Sequence, residues 1–355
     1  MGGNTDFKNT LDRNILYFFR KLISFAFVFP HYLPFLLRMM LSQLKAIGRR
    51  KYWKSLSLEV PPIIIASITG RCNLECSGCF NKLREHKDIP DMERKIFLKI
   101  LGEAGDIGSR IIFLSGGEPM TCPELIEATG NYPDLLFPLF TNGLLIDESY
   151  IKAWKKQKNI IPVISLEGDE DETDRIRGKG IFHKIESLSL LLKKSGILYG
   201  HSMTATKNNY KLLSSREFIS LLYKNGARIF IFVEFQPVGS DRSGELSPDE
   251  KEVLLKDIAA LRSSFPGIFI EFPGEEEQYG GCLSAGRGFL HISPGGSLEP
   301  CPFSPYSDSS LKNMTLKDAL KSKFLERIRD NTSELSEVSG CALLQKREWV
   351  KSLLQ

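Results

Sequence analysis

The sequence is poor in cysteine and carries little net charge. Seven cysteines among 355 residues are too few for a disulfide scaffold, and their odd number leaves at least one unpaired. The net charge of +4 is too small to indicate a nucleic-acid partner, and we expect none. Hydrophobic residues make up 42% of the chain and charged residues 25%, a balance that supplies a packed core and excludes a disordered protein.

The chain also lacks a long uninterrupted apolar run. No Lys, Arg, Asp or Glu occurs from Leu22 to Leu37, but Pro30, His31 and Pro34 interrupt this stretch, whereas a spanning helix needs about 20 apolar residues. No small-residue cleavage site of a secretory signal follows it, and we expect the protein in the cytoplasm. Residues 1–58 hold ten Lys or Arg and two Asp, a net charge of +8, which leaves −4 for the rest of the chain.

That N-terminal composition predicts two short helices lying on a membrane surface, at the inner face of the cell membrane. Basic side chains would face anionic headgroups, namely Arg38, Lys45, Arg49, Arg50, Lys51 and Lys54. Aromatic side chains would be embedded, namely Phe18, Phe19, Phe25, Phe27, Phe29, Tyr32 and Trp53. The alternative is that these helices pack on the rest of the protein or on a second protomer.

From residue 61 onward, short runs rich in aliphatic and aromatic residues alternate with stretches of helical apolar spacing. The predicted strands are Ile63–Ile68, Ile111–Leu114, Leu135–Phe140, Pro162–Leu166, Tyr199–Thr204 and Ile229–Phe235. The predicted helices cover residues 91–105, 122–129, 147–157, 181–194, 213–224 and 246–264.

Repetition of strand and helix predicts parallel strands joined by right-handed crossovers. Six such units are two short of a closed eight-fold barrel, so the expected fold class is α/β with a partial (β/α)6 barrel. We expect an N-terminal helical segment over residues 1–58, the barrel over 59–264 and a small C-terminal domain over 265–355.

Three cysteines directly follow the first predicted strand, with the spacing C-x3-C-x2-C at Cys72, Cys76 and Cys79. Three thiolates on a tight loop can hold three irons of a cubane cluster and leave the fourth iron open. A zinc site normally has four ligands, often as paired C-x2-C knuckles, and a disulfide would use only two of the three thiols. The spacing therefore favours an iron–sulfur cluster with an open iron.

This cysteine spacing resembles that of the radical S-adenosylmethionine (SAM) superfamily. The resemblance implies a [4Fe-4S] cluster that binds SAM, whose reductive cleavage gives a 5′-deoxyadenosyl radical that abstracts hydrogen from a substrate. Gly116, Gly117, Glu118 and Pro119 follow the second strand as the family's GGEP motif does. That match implies that the glycines allow a close backbone approach to the SAM amine and that the Glu accepts its hydrogen bond.

Residues 164–182 are similar to the family's SLDG…RGxGxF signature, with Glu167 where Asp is commoner. The resemblance implies that Ser165 and one of two arginines, Arg175 or Arg177, approach the SAM ribose or carboxylate.

Four further positions are candidates at the same site. Thr204, after the fifth strand, and Gln236, after the sixth, are predicted neighbours of the SAM ribose and adenine. Phe80 is the candidate for stacking on adenine, because Gly78 replaces the family's usual aromatic residue. Cys122, just beyond the GGEP turn, is a candidate proton or hydrogen-atom donor, and a structural thiol is the alternative.

The last three cysteines resemble the start of the SPASM and Twitch domains, which hold auxiliary clusters in radical SAM enzymes. Cys282 is followed by thirteen residues, Gly296, four residues and Cys301, with Cys341 forty positions beyond. The further cysteines of a full SPASM domain are absent, so the resemblance implies a second, Twitch-like [4Fe-4S] cluster bound by these three. The alternative is a degenerate domain whose cysteines are buried.

The leading hypothesis is a radical SAM enzyme that acts on a lipid, isoprenoid or other membrane-associated metabolite. One alternative is a peptide-modifying enzyme that crosslinks or epimerises ribosomal peptides. Another, from a different class, is a non-catalytic iron–sulfur electron carrier or membrane scaffold. A flavodoxin or ferredoxin is the reductant that the resemblance implies.

Overall fold

The computed structural model describes residues 3–83, 90–237, 242–273, 279, 281–331, 333–336 and 341–354. The helices are α1 (Gly3–Ser24), α2 (Leu33–Ser55), α3 (Arg94–Ile107), α4 (Pro123–Ala128), α5 (Glu148–Gln157), α6 (Glu170–Arg177), α7 (Ile181–Ser195), α8 (Tyr210–Leu213), α9 (Arg216–Lys224), α10 (Pro248–Ser264), α11 (Leu316–Ala319), α12 (Lys323–Asp330), α13 (Ser333–Ser336), α14 (Ala342–Gln345) and α15 (Arg347–Ser352). The strands are β1 (Ile63–Thr69), β2 (Ile111–Gly116), β3 (Phe137–Thr141), β4 (Ile160–Leu166), β5 (Gly200–Ala205), β6 (Ile229–Glu234), β7 (Ile268–Phe272), β8 (Phe289–Ile292) and β9 (Leu298–Glu299).

All nine strands belong to one sheet, in the order β7-β6-β5-β4-β3-β2-β1-β8-β9. Every neighbouring pair is parallel except β8 and β9. The six predicted strands correspond to β1 to β6, with ends that differ by at most two residues. The α/β class and the partial (β/α)6 barrel are therefore confirmed, and the carboxyl ends of the parallel strands lie at one rim.

Polar caps set where several of the helices begin. The Asp147 carboxylate accepts a hydrogen bond from the backbone of Ser149, at 2.9 Å, before α5. Ser247 and Glu250 form a reciprocal capping box before α10, whose first residue is Pro248. Such side chains satisfy backbone N–H groups that a helix leaves open at its start, and they favour a defined junction after each strand.

The sheet extends beyond the six predicted strands at both edges. Strand β7 pairs in parallel with β6, so the sheet continues past residue 265, where the C-terminal domain is predicted to begin. Strand β8 pairs with β1, and Ile63 lies opposite Phe289. The C-terminal segment therefore continues the sheet next to the strand that precedes the cysteine loop.

The N-terminal helices α1 and α2 close the floor of the barrel. They share a buried apolar cluster with side chains at the beginnings of the strands, including Ile111, Ile161, Ile229 and Ile268. The Tyr32 hydroxyl accepts a hydrogen bond from the backbone of Leu198, and Arg50 donates to Gly108 O and to Asp12. Two long helices therefore pack on the barrel, as the alternative interpretation proposed.

This packing corrects the prediction of membrane embedding for four of the seven N-terminal aromatic residues. Phe19, Phe25, Phe29 and Tyr32 are all at most 6% exposed, because they fill the barrel floor, whereas Phe27 is 95% exposed. A helix with an apolar face buries it wherever a complementary face lies, and here the inner face of the sheet supplies one. Among the described residues, the structure contains no helix with the length and hydropathy that crossing a membrane requires.

Candidate functional site

The loop that carries Cys72, Cys76 and Cys79 leaves the carboxyl end of β1 and is fixed at both ends. The backbone N–H of Ser77 donates to Ile176 O at 2.9 Å, which ties the loop to α6. The Asn81 amide donates to Gly70 O at 3.0 Å, which ties the end of the loop back to its start. The rim position that the sequence predicted for these cysteines is therefore observed.

The three thiols lie within electrostatic reach of one another. The pKa of Cys76 is raised, chiefly by burial and further by the neighbouring thiols of Cys79 and Cys72. The Arg177 guanidinium acts in the opposite direction and offsets part of this rise. Burial likewise raises the pKa of Cys72, and Cys79 contributes in the same direction. A cationic metal centre beside Cys72 and Cys76 would favour their charged forms.

No three His, Cys, Asp or Glu side chains in the described part of the chain converge closely enough to hold a single metal ion. Ligands of a cubane bind different irons and stand farther apart than ligands of one ion. The preference for an iron–sulfur cluster over zinc at the cysteine loop therefore rests on the spacing of the three cysteines in the sequence.

The glycines of the GGEP turn pack tightly against the start of the cysteine loop. A Cβ atom at Gly116 would lie 2.2 Å from Thr69 O, and one at Gly117 would lie 2.0 Å from Arg71 O. The N–H of Gly117 donates to Thr69 O at 2.8 Å, and the N–H of Glu118 donates to Arg71 O at 2.7 Å. Only glycine fits at these contacts, and the two backbone bonds hold the cysteine loop to the end of β2.

The Glu118 carboxylate, which the resemblance implies is an acceptor for SAM, has three donors within the protein. The residue is 1% exposed, and Oε1 accepts from Thr141 Oγ1 at 2.7 Å and from Met120 N at 3.0 Å. Oε2 accepts from Asn142 N at 2.7 Å. Burial raises the pKa of Glu118, and these bonds partly offset that rise. The carboxylate thus joins the ends of β2 and β3 beneath the site.

Glu118→Gln is expected to lower the free energy of unfolding by about 1–3 kcal/mol. Both carboxylate oxygens face donors, so the amide NH2 of glutamine must point at another donor and leave it unsatisfied. Urea unfolding of the SAM-free protein measures the loss. Glu127→Gln, at an exposed position, is the matched control and should change stability by less than about 0.5 kcal/mol. Equal stability of the two variants would contradict the proposed role of Glu118.

The structure separates the two candidate arginines. Arg177 is 14% exposed and donates from Nε to Glu167 Oε1 at 3.1 Å, while Arg175 is exposed and pairs with Glu172 on the surface of α6. Burial lowers the pKa of Arg177, but Glu167 and Cys76 raise it by more. Arg177 is therefore the arginine beside the cysteine loop. Ser165 lies half-buried on β4, opposite Ser202 of β5.

The remaining barrel candidates lie at different places. Thr204 is half-buried near the end of β5, and its carbonyl accepts a hydrogen bond from the Asn209 amide at 2.9 Å. Gln236 faces the C-terminal domain, where its Oε1 accepts from Cys341 N at 3.0 Å. Cys122 is 1% exposed beneath Arg71, and burial raises its pKa.

The three C-terminal cysteines converge, although they are far apart in sequence. Burial raises the pKa of Cys301 well above its usual value, and the neighbouring thiols of Cys341 and Cys282 raise it further. Cys301 follows β9 and Cys341 caps α14, so two elements of the C-terminal domain bring them together. Three clustered thiols fit the predicted auxiliary cluster better than three isolated buried cysteines do.

A cavity of about 330 Å³ lies between the barrel and the C-terminal domain. All three C-terminal cysteines line it, together with Gly116 and Gln236, and Cys122 is not among the described lining residues. Six phenylalanines are among its twenty lining residues, namely Phe80, Phe113, Phe140, Phe272, Phe289 and Phe303. The ring centroids of Phe80 and Phe303 lie 4.5 Å apart. The cysteine loop and the C-terminal domain therefore contact each other beside the cavity.

Sequence analysis missed Asn142, which follows β3. Its amide donates to Asn73 Oδ1 at 2.7 Å, next to Cys72, and its backbone N–H donates to Glu118. The position directly after a parallel strand was the available signal, because such residues gather at the rim that carries the site.

Residues 66–209 match the family model "Radical SAM superfamily". The chain is 27% identical over 264 residues to the PqqA peptide cyclase of Ruegeria pomeroyi, covering 69% of each chain. It is 24% identical over 317 residues to the AdoMet-dependent heme synthase of Methanosarcina barkeri, covering 81% of this chain and 90% of that one.

A solved structure of Streptococcus suis SuiB bound to S-adenosylmethionine has a similar fold. The TM-score is 0.68 at 19% identity, and the match covers 86% of this chain and 76% of SuiB. SuiB bound to its precursor peptide SuiA matches with a TM-score of 0.64 at 20% identity, over 86% and 74% of the two chains. At this identity the likeness concerns the fold.

Proposed function

We propose that this chain, whose residues 66–209 match the radical SAM family model, is a radical SAM enzyme that abstracts hydrogen from a peptide side chain. The observation that carries the proposal is the phenylalanine-lined cavity, which reaches from Gly116 at the SAM side to the C-terminal cysteines. Pockets that bind a substrate are mostly apolar with a few placed polar groups, and this cavity has that character.

The family implies SAM and a [4Fe-4S] cluster. In our proposal Cys72, Cys76 and Cys79 hold the cluster, Arg177 offsets its negative charge, and the rim residues Ser165 and Thr204 face SAM. When bound, this pair of cofactors supplies a 5′-deoxyadenosyl radical that can abstract hydrogen from carbon. The chain itself contributes the apolar wall, which excludes water from so reactive a species.

We further propose that Cys282, Cys301 and Cys341 hold a second [4Fe-4S] cluster at the opposite wall of the cavity. The clustering of these thiols supports this assignment, as does the hydrogen bond from Cys341 N to Gln236. A substrate in the cavity would lie between the two cysteine sets.

The comparisons favour a peptide over the lipid-like substrate of our leading hypothesis. One relative is named a PqqA peptide cyclase, and SuiB has been solved with its precursor peptide. The lipid hypothesis rested on the N-terminal helices, and their apolar faces are used to close the barrel floor. An aromatic or aliphatic peptide side chain fits a wall of phenylalanines.

A tetrapyrrole is the second candidate substrate. The relative from Methanosarcina barkeri that matches 81% of this chain is named an AdoMet-dependent heme synthase. Phenylalanine rings also suit the flat face of a macrocycle.

Two predictions stay as they were: an external one-electron donor, flavodoxin or ferredoxin, and a cytoplasmic location.

A peripheral membrane contact also stays a prediction. It would use a different surface from the one formed by the predicted aromatic residues. Leu33, Leu37, Leu41 and Leu44 are exposed on the outer face of α2, with Lys45 beside them.

The test follows deuterium from substrate carbon into 5′-deoxyadenosine. The anaerobically reconstituted enzyme, SAM and dithionite are incubated with a peptide extract from cells grown on deuterated amino acids. We expect deuterated 5′-deoxyadenosine by mass spectrometry, because the radical takes its hydrogen from the substrate.

Parallel incubations contain a lipid extract from cells grown on deuterated acetate, or deuterated iron coproporphyrin. Transfer from the lipid extract alone would restore the lipid hypothesis, and transfer from the porphyrin alone would favour the tetrapyrrole. An unlabelled peptide extract incubated in D2O is the control for exchange with solvent.

A further inference from the structure

We propose that Ser67, His291 and Glu299 form a proton relay that removes a proton from the substrate in the cavity. The proposal rests on the proposed function, since it requires that a substrate bind there. It assigns a role to a histidine for which the sequence pattern indicated none.

The three side chains form one continuous hydrogen-bonded chain. His291 Nδ1 lies 2.6 Å from Glu299 Oε2, and His291 Nε2 lies 2.7 Å from Ser67 Oγ. None of the three residues is more than 4% exposed. Their spacing is that of a nucleophile or acid, a base and the carboxylate that orients the base.

The fold, rather than the sequence spacing, assembles this chain. His291 and Glu299 face each other as paired residues of the antiparallel strands β8 and β9. Strand β8 runs parallel to β1, which carries Ser67 two residues beyond the partner of His291, Ile65. Two polar residues of the C-terminal domain are thereby placed behind a hydroxyl of the barrel.

The hydroxyl end of the relay reaches the cavity. Ser67 is a lining residue, together with Ser115, whose Oγ lies 3.4 Å from Ser67 Oγ. Among the described lining residues, Ser67 carries the hydroxyl that is hydrogen-bonded to a histidine, so it is the end of the chain that a substrate can meet.

The carboxylate of Glu299 accepts the Nδ1–H bond and thereby selects the tautomer in which Nε2 has a free electron pair. Nε2 then accepts the hydrogen bond that Ser67 donates. When a substrate N–H or O–H bond breaks, Ser67 Oγ takes that proton and passes its own to Nε2. The substrate keeps the electron pair, and the resulting imidazolium is balanced by Glu299, so no oxidant is needed for this step.

Diisopropyl fluorophosphate tests whether Ser67 gives its proton to His291. The SAM-free holoenzyme is incubated with this probe, and the modified residue is located by peptide mass mapping. Ser67 Oγ forms a bond to phosphorus, fluoride leaves, and the hydroxyl proton moves to His291. We expect a single adduct on Ser67.

His291→Gln and Glu299→Gln should each lower the maximal inactivation rate by about 100-fold or more, the usual range for loss of general-base catalysis. The probe concentration at half-maximal rate should stay unchanged, whereas a merely structural role would alter it through the shape of the cavity. Ser115→Ala is the matched control and should keep the adduct. Ser67→Ala should lose it.

Absence of an adduct on Ser67, or a rate that is the same in His291→Gln, overturns the relay. If a His291 or Glu299 variant loses iron and fails to fold, selective labelling of Ser67 over Ser115 in the wild-type enzyme still decides. Reductive SAM cleavage by the wild-type enzyme is measured separately. Labelling without SAM cleavage would sink the proposed function alone, and SAM cleavage without labelling would sink the relay alone.

Discussion

Replacing Cys72, Cys76 and Cys79 together by Ala should abolish the reductive cleavage of SAM. The three thiols follow one strand and lie within electrostatic reach of one another, so all three are needed to hold one cluster. We expect no 5′-deoxyadenosine above background under dithionite, together with loss of about half of the bound iron. Chromatography of the reaction mixture and iron analysis of the reconstituted protein measure the two effects.

The reciprocal variant and a matched single variant make this prediction specific. Changing Cys282, Cys301 and Cys341 to Ala should remove the other half of the iron, because these thiols cluster at the opposite wall of the cavity. Cys122→Ala should keep all of the iron, since this thiol is buried beneath Arg71. Normal SAM cleavage by the first triple variant would defeat the cluster assignment.

Phe19→Ala should lower the free energy of unfolding by about 3–5 kcal/mol. Phe19 is 0% exposed and belongs to the cluster in which α1 and α2 meet the beginnings of the strands. Truncation removes a large apolar side chain from a packed site and leaves a cavity there. A loss of this size is a large part of the 5–15 kcal/mol that typical domains have, and urea unfolding followed by circular dichroism measures it.

Phe27→Ala is the matched control from the same segment. Phe27 is 95% exposed, so its removal should change stability by less than about 0.5 kcal/mol. If the helices instead lay on a membrane and left the barrel floor open, the two variants would be equally stable in detergent-free buffer. That result would reverse our correction.

The sequence predicted the barrel well because its signals are local. Each strand of the sheet from Ile63 to Glu234 is a short apolar run, and each following helix has its own periodic face. The cysteine loop was equally predictable, since its three predicted ligands lie within eight residues. Periodicity and spacing of this kind can be read without knowing which distant residues the segment contacts.

Other features were out of reach because the deciding partner is distant in the chain. Two donors to the Glu118 carboxylate, Thr141 and Asn142, lie beside it only once β2 and β3 pair. The choice between Arg175 and Arg177 depends on which side of α6 faces Glu167. Neither contact can be inferred from the residues that are nearby in the sequence.

The sequence by itself determined the α/β barrel, the cysteine set beside its first strand and hence the family chemistry. Only the tertiary structure decided that α1 and α2 bury their apolar faces on the barrel floor, and that Ser67 meets His291. The physical reason is that the sequence shows which faces are apolar and which side chains are polar, but not which residues they contact. Which residues these are depends on how the strands are ordered in space.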